Sequence, residues 1–485
     1  MSTPTVSVVT QRWVLALGAI ASLMAALDTL VVATALSTIR RDLEASVETL
    51  EWTVNGYNLS FAVLLMTAAV VGDRFGRRRM FAVGLAIFVT ASAACALSTS
   101  VAALIAARVV QGVGAALIMT LALALASAAF PPQRRGVAMG VLQGITGLAV
   151  ACGPLVGGAV AEGLSWQWIF WLNVPIGLIA IPLVLNRIPE TFGPDTKVDT
   201  GGLALLTCGA FGVVWGLVRG NTAGWASAEI VVALAGGVAV IIAFAVWEAG
   251  RPEPMIPMRL FASRGFTAGN TAIFLLFAGL FGSVFFYAQF LQIVFGYGPL
   301  GAGLRLLPWT LTLFFCAPIA GLLADRIGER PLMAGGLAMQ AGGMFWIARI
   351  AEPGMVYAAL VIPLVVSGIG VSMALPSTQT AVVGAVEHAA LGKAAGANSM
   401  MRELGGVFGI AVAVAVFTGA GGYGSAAQFV DGFGPAIAVG AGLSLLGAAV
   451  ALALPGRRAA VAVTDAPEMM AADHAVTSEV ATIEG

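Results

Sequence analysis

Fourteen stretches of about twenty residues, each nearly free of charge, follow one another through this 485-residue chain. No other feature narrows the possible folds as far. A bilayer core about 30 Å thick takes about 20 apolar residues of helix at 1.5 Å per residue. Lipid offers no partner to an open backbone group, so each stretch is predicted to be a helix. The spans fall near 13–36, 50–71, 80–98, 102–128, 136–161, 168–186, 201–219 and 228–248. They continue near 267–291, 301–324, 331–350, 356–385, 393–420 and 433–454. The run 356–385 is expected to include part of a loop.

Composition agrees. Hydrophobic residues make up 59% of the chain and charged ones 10%, with mean hydropathy +0.96. Soluble domains carry about 25% charged residues, so a polytopic membrane protein is expected. A formal net charge of zero argues against a nucleic-acid partner. Cys95, Cys152, Cys208 and Cys316 all lie in apolar runs, which argues against a disulfide framework, and two histidines cannot build a multi-histidine metal site. The first run is too long for a cleavable signal and carries Asp28.

An even number of spans puts both termini on one side. Seventeen basic residues fall on that side, against five on the other: Arg40, Arg41, Arg219, Arg305 and Arg349. The positive-inside rule then places both termini in the cytoplasm.

Between spans two and three lies a charged turn, AVVGDRFGRRRM, from Ala69 to Met80, and a shorter copy, GLLADRIGERP, runs from Gly321 to Pro331. Asp73 and Asp325 are 252 residues apart (325 − 73). Arginines collect in any cytoplasmic loop. That does not account for the spacing of Gly72, Asp73, Arg74, Gly76, Arg77 and Arg78, nor for its echo in Gly321, Asp325, Arg326, Gly328 and Arg330. The offset carries spans 1–6 onto spans 9–14 and leaves the pair at 201–248 as an insertion. The expected organisation is a cytoplasmic N-terminus (1–12), a six-helix half (13–186), linkers with the inserted pair (187–266), a second six-helix half (267–454) and a disordered cytoplasmic tail (455–485).

Charges inside a membrane are costly and face a cavity or a partner. Asp28 lies roughly 12 Å, and Arg108 roughly 9 Å, from the outer surface at 1.5 Å per residue, so they are able to face each other or a shared cavity. Burial favours the neutral form of a carboxyl and a nearby guanidinium the charged form, a balance suited to a switchable proton site. A permanent pair that merely joins two helices is an equal reading. Glu403, near mid-membrane in NSMMRELGGVFG, is a second candidate proton carrier, against a slightly favoured structural role. Arg402 and Glu403 are neighbours pointing about 100° apart and are not expected to pair. Ala149, Gly153 and Gly157 share a face of span five, inviting close backbone approach, and Pro154 is expected to kink it. The aromatics of span nine (Phe274, Phe277, Phe281, Phe285, Phe286, Tyr287, Phe290) suit either an apolar pocket or, more commonly, lipid.

Together these motifs resemble the major facilitator superfamily, most closely its fourteen-helix drug/proton antiporter branch of the EmrB/QacA type, from about Trp13 to Pro455. Gly72–Arg79 matches the signature between helices two and three, with Ala69 in place of its leading Gly. Arg108, Gln111, Gly112 and Gly114 match the helix-four motif, whose Arg the family links to proton transfer. Gly153, Pro154, Gly157 and Gly158 match the helix-five motif of exporters. LDTLVVATAL (Leu27–Leu36) matches the helix-one motif around Asp28, with Leu30, Ala33 and Ser37 where Thr, Asn and Pro are usual. WQWIFWLNVPIG fits too, with Gln167 where Arg is common, and Glu403 stands where Gln is frequent.

The resemblance implies an all-α membrane protein of two six-helix halves plus two inserted helices. It further implies a proton-coupled antiporter that exports amphipathic drugs, dyes or antibiotics across the bacterial cytoplasmic membrane by alternating access. Spans 1, 4, 9 and 12 would line its cavity with Asp28 and Arg108 upon it, and the loop at 72–79 would latch the halves. The expected partners are a small-molecule substrate, protons and the lipid bilayer, without nucleic acid or nucleotide, and a monomer is the expected state. No cofactor is called for. An importer or exporter of a specific metabolite and a non-transporting membrane sensor or assembly partner are the competing readings. No nucleophile–base spacing, metal cluster or phosphate loop points to an enzyme.

Overall fold

The computed structural model describes residues 7–193, 198–386 and 391–455; the expected tail, Lys197 and His388 lie outside the described residues, as do the side chains of Leu30, Ala33 and Asp325. The described residues form seventeen helices, sixteen α and one short 3-10 turn at Met258–Ala262. The first group is α1 (Val8–Asp42), α2 (Val47–Phe75), α3 (Arg77–Ala96), α4 (Val101–Ala129), α5 (Pro132–Gly163), α6 (Trp168–Trp171) and α7 (Asn173–Arg187). Next come α8 (Thr200–Ala223) and α9 (Ala228–Ala249). The last group is α10 (Arg264–Ile293), α11 (Pro299–Arg305), α12 (Leu307–Ile327), α13 (Glu329–Ile350), α14 (Ala358–Gly384), α15 (Leu391–Ala420) and α16 (Ala426–Ala451).

Among the described residues, twelve helices are long and apolar enough to cross a membrane; the glycine-rich α5 and α13 are not among them. The sixth and tenth runs are each broken near one end, into α6–α7 and α11–α12. The run expected to include a loop is instead helical from Ala358 to Gly384 despite Pro363 and Pro376. Helix starts follow from local chemistry: Ser46, Ser100 and Ser425 each accept a hydrogen bond from the backbone N–H three residues on.

The repeat is visible in the backbone. Gly76 (φ +104°) and Gly328 (φ +87°) end α2 and α12 in a conformation that a Cβ disfavours. Their N–H groups bond Gly72 O and Ala324 O at corresponding positions. Gly84 and Gly114 let α3 and α4 approach closely, as Gly336 and Gly370 do for α13 and α14.

The groups meet at both ends of the bundle. At the end carrying the charged loops, α2 packs on α15, with the Met66 sulfur against Gly396. At the far end α5 packs on α11, and the Gln292 amide of α10 binds both Ser37 Oγ and Thr34 O of α1. The α8–α9 pair does more than space the groups: α8 packs on both α2 and α15, and Asn221 donates to Ala415 O and to Thr418 Oγ1. The outer face of α9 is exposed and apolar, with Val232 and Val246 at 70% and 69% exposure, as a lipid-facing helix requires.

The aromatics of α10 are not chiefly lipid-facing. Phe285, Phe286, Tyr287 and Phe290 are buried in a cluster with Phe417, Phe429 and Phe433. Because α10 is enclosed by α14, α15 and α16, its aromatic girth fills a protein core instead.

Candidate functional site

Arg108 and Gln111, three apart on α4, share a face turned toward α1. The Arg108 Nη1 donates to Asp28 Oδ2 and, at 2.8 Å, to Gln111 Oε1. Gln111 Nε2 in turn donates to Asp28 Oδ1 at 2.9 Å and to Ser92 Oγ at 2.8 Å. Asn173 Nδ2 reaches the same two acceptors at 3.3 Å. Arg108 Nε binds Thr53 O at 2.9 Å, and its guanidinium lies 4.1 Å from the centroid of the Tyr57 ring. Arg108 is 0% and Asp28 3% exposed. A charge pair buried this completely survives because its other polar atoms are engaged as well, save Arg108 Nη2, which has no hydrogen-bond partner among the described residues.

The glycines of the α4 motif explain how the pair is delivered. A Cβ on Gly112 would stand 2.0 Å from Ser60 Oγ and 2.5 Å from Tyr57 O of α2, and one on Gly114 2.6 Å from Phe88 N of α3. Small residues there let α4 sit deep between its neighbours. Gly157 and Gly158 act likewise on α5: added Cβ atoms would lie 2.7 Å from Val31 O of α1 and 2.3 Å from Pro299 O, at the start of α11. Gly303 answers from α11, seated against Pro154 O. Gly153 and Pro154 are both buried.

Between the two groups lies a cavity of about 220 Å³. Thr29 of α1, Thr146 of α5, Gln379 of α14, and Arg402 and Glu403 of α15 supply its polar lining; Phe277 and Phe281 of α10 supply stacked rings 5.6 Å apart. Residues from α1, α4, α10 and α14 all contribute, with α2, α5 and α15 in addition. Asp28 and Arg108 are not on its wall. Their side chains turn inward among α3, α4 and α7, while Ala25, Ala26 and Thr29 of the same α1 segment face the cavity. Tyr57 bridges the two environments, donating its hydroxyl to Ala25 O at 3.0 Å.

Arg402 and Glu403 do pair, at 3.0 Å from Nε to Oε1. Helix geometry separates their Cβ directions, but an arginine is long enough to fold back over its neighbour when an unpaired buried carboxylate is the alternative. Arg402 also lies 5.7 Å from the Phe277 ring centroid. A larger apolar groove of about 490 Å³, between α2, α4 and α8, touches no ionised group, so the chemistry lies with the smaller cavity.

The charged loop after α2 binds the linker that follows α7. Asp73 pairs with Arg77 at 2.7 Å, and Asp73 O accepts from Gly193 N. Glu190 accepts from Arg78 N at 2.9 Å, at the start of α3, where unpaired helix N–H groups favour a carboxylate. Arg78 also reaches Leu185 O and Ile188 O, while Arg74 and Arg79 are exposed. Gly72 is closed over by Leu121 of α4. In the second loop Gly321 meets nothing within 4 Å of an added Cβ, and Arg326 and Arg330 are exposed.

Sequence reasoning missed Tyr57, Ser92 and Asn173. Asn173 had a signal, as the polar residue of the otherwise apolar FWLNVPIG; Ser92 and Tyr57 had none. Asn58 was missed too: it is 1% exposed, and neither amide atom has a partner, one turn from cavity-lining Phe61. Among the described residues, no group of three or more His, Cys, Asp or Glu is placed to hold a metal.

The chain matches the family model of the Major Facilitator Superfamily over residues 18–410 and 270–479. It is 34% identical over 403 residues to the tetracenomycin C resistance and export protein of Streptomyces glaucescens, covering 81% of this chain and 73% of that protein. A cephamycin export protein of Amycolatopsis lactamdurans is 34% identical over 90% of each chain. The methylenomycin A resistance protein of Bacillus subtilis is 33% identical, over 82% of this chain and 85% of its own. Among solved structures, a D-xylose–proton symporter superposes with TM-score 0.67 at 15% identity, over 92% of this chain and 98% of that one, a likeness of fold.

Proposed function

Because the chain belongs to the drug-efflux branch of the major facilitator superfamily, we propose that it is a proton-driven antiporter exporting amphipathic small molecules by alternating access. It is a multi-pass membrane transporter rather than an enzyme. In the proposed arrangement fourteen spans form two six-helix halves plus the inserted pair, with both termini in the cytoplasm. The observation that carries the reading is the cavity where the two groups of helices meet, walled by phenyl rings, hydroxyls and an ion pair, with α1 between it and Asp28. Relatives named for the export of, or resistance to, tetracenomycin C, cephamycin and methylenomycin A support export over import.

Protonation of Asp28 from outside would weaken its hold on Arg108, release the Gln111–Asn173 network and, through α1, alter the cavity wall. Loss of that proton inside would restore it. Glu403, on the wall itself, is the second group able to exchange a proton. The α5–α11 contact and the Gln292–Ser37 bond would part when the far end opens, and the α2–α15 contact when the loop end opens. The test is efflux of preloaded fluorescent amphipathic compounds from cells expressing the protein, with and without a proton uncoupler. Extrusion that stops with the uncoupler is expected; extrusion that persists overturns proton coupling, and none of any compound overturns export.

A further inference from the structure

The charges around the cavity say what kind of molecule it holds. Among the described residues only two ionisable side chains line it, Arg402 and Glu403, and they are paired with each other. With Glu403 ionised the lining carries no net charge; with Glu403 protonated it carries one positive charge. In neither state is it negative. The nearest acid behind the wall, Asp28, is matched by Arg108. The buried acid of α2, Glu51, stands ten residues from Phe61, about 15 Å along the helix, and flanks Tyr423 together with Arg40. The phenyl faces offer a cation little, since the Arg402 guanidinium already lies over Phe277.

We infer that the cavity selects uncharged planar aromatic molecules bearing hydrogen-bonding oxygens or nitrogens, and that the Arg402–Glu403 pair is the residue pair that rejects permanent organic cations. The Phe277–Phe281 stack provides a flat apolar wall, and Thr29, Thr146 and Gln379 provide hydroxyl and amide partners. A volume of about 220 Å³ suits a small fused-ring system in this state of the transporter. Sites for larger drugs begin at about 300 Å³. The inference rests on the exporter reading and deepens it by assigning the substrate's charge.

The test uses the full-length protein in lipid nanodiscs and three probes on one tricyclic frame: acridine at a pH where it is neutral, N-methylacridinium, and anthracene-9-carboxylate. The unaltered protein is expected to bind acridine at least about tenfold more tightly than N-methylacridinium, a size typical of one uncompensated charge in a partly buried site. Arg402→Gln leaves Glu403 unpaired and is expected to reverse that order. Glu403→Gln leaves the lining positive and is expected to tighten anthracene-9-carboxylate binding while N-methylacridinium stays weak. Equal binding of acridine and its cation by the unaltered protein overturns the inference. So does Arg402→Gln, folded by its helical circular dichroism, with an unchanged order of acridine and its cation, or Glu403→Gln, likewise folded, binding anthracene-9-carboxylate no more tightly than the unaltered protein. Should Arg402→Gln fail to fold, Glu403→Gln decides alone. Binding of none of the three while other compounds are still extruded overturns the assigned class; absence of any efflux overturns the exporter reading beneath it.

Discussion

Arg108 donates to Asp28 across the α1–α4 interface, yet neither side chain reaches the cavity that their helices wall. The proton site of the proposed cycle is therefore separated from the substrate by the thickness of α1. Coupling has to pass through helix position and through Tyr57, which covers Arg108 and holds Ala25 O.

Substitution at this pair separates its two roles. Asp28→Asn keeps a hydrogen-bonding side chain and is expected to abolish uncoupler-sensitive efflux while the protein still folds. Arg108→Met leaves a buried carboxylate unmatched and is expected to cost about 3–5 kcal/mol. Thermal unfolding in detergent, set beside efflux, checks both. Normal uncoupler-sensitive efflux by Asp28→Asn would remove it from the proton path and leave Glu403 to carry the role.

The far-end contact depends on bare backbone. Gly158→Val puts a side chain where Pro299 O now lies 2.3 Å from an ideal Cβ, so α5 and α11 cannot close. Spin labels across the far end, one on α5 and one on α11, should report a longer distance in the variant, together with lost efflux. An unchanged distance would mean that the glycine is not what lets the end shut.

Two glycines with opposite demands make a control for the charged loop. Gly76 needs φ +104°, and its Cβ would lie 2.8 Å from the Glu190 carboxyl carbon, whereas Gly140 on α5 has nothing within 4 Å. Gly76→Ala is expected to lower stability by about 1–3 kcal/mol. Gly140→Ala is expected to leave it unchanged or raise it by up to about 1 kcal/mol. Melting temperatures of the two purified variants decide.

Besides the packing of α8 on α15, one amide of the inserted pair hydrogen-bonds the last group of helices. Asn221→Leu removes the bonds to Ala415 O and Thr418 Oγ1. At about 0.5–1.5 kcal/mol per net hydrogen bond, a modest fall in melting temperature is expected. If α8 stays docked through the cycle, transport changes with it; a fall in stability with full transport would limit the pair to a structural part.

Of the charged-loop repeat, the two turns were legible in the chain, because glycine spacing is a local property and Gly76 and Gly328 take the same positive-φ backbone 252 residues apart (328 − 76). The Asp28–Arg108 juxtaposition was legible only as an agreement of depths. Its partners Ser92 and Asn173 come from α3 and α7, and no spacing along the chain announces which faces of those helices meet. The Arg402–Glu403 pairing ran against the helical rule, since that rule locates Cβ atoms and says nothing of how far an arginine folds back.

Sequence alone determined that this protein crosses a membrane as helices, repeats itself, and carries few charges within its spans. Hydrocarbon leaves a polar backbone only helices or closed barrels, and runs of about twenty apolar residues select the helix. Tertiary structure decided which charges meet, that the Asp28 pair lies behind the cavity wall, that the first loop clasps its own linker, and that α8 lies between the groups. Those outcomes depend on helix rotation and close approach, which glycines permit at many positions but only the packed bundle selects.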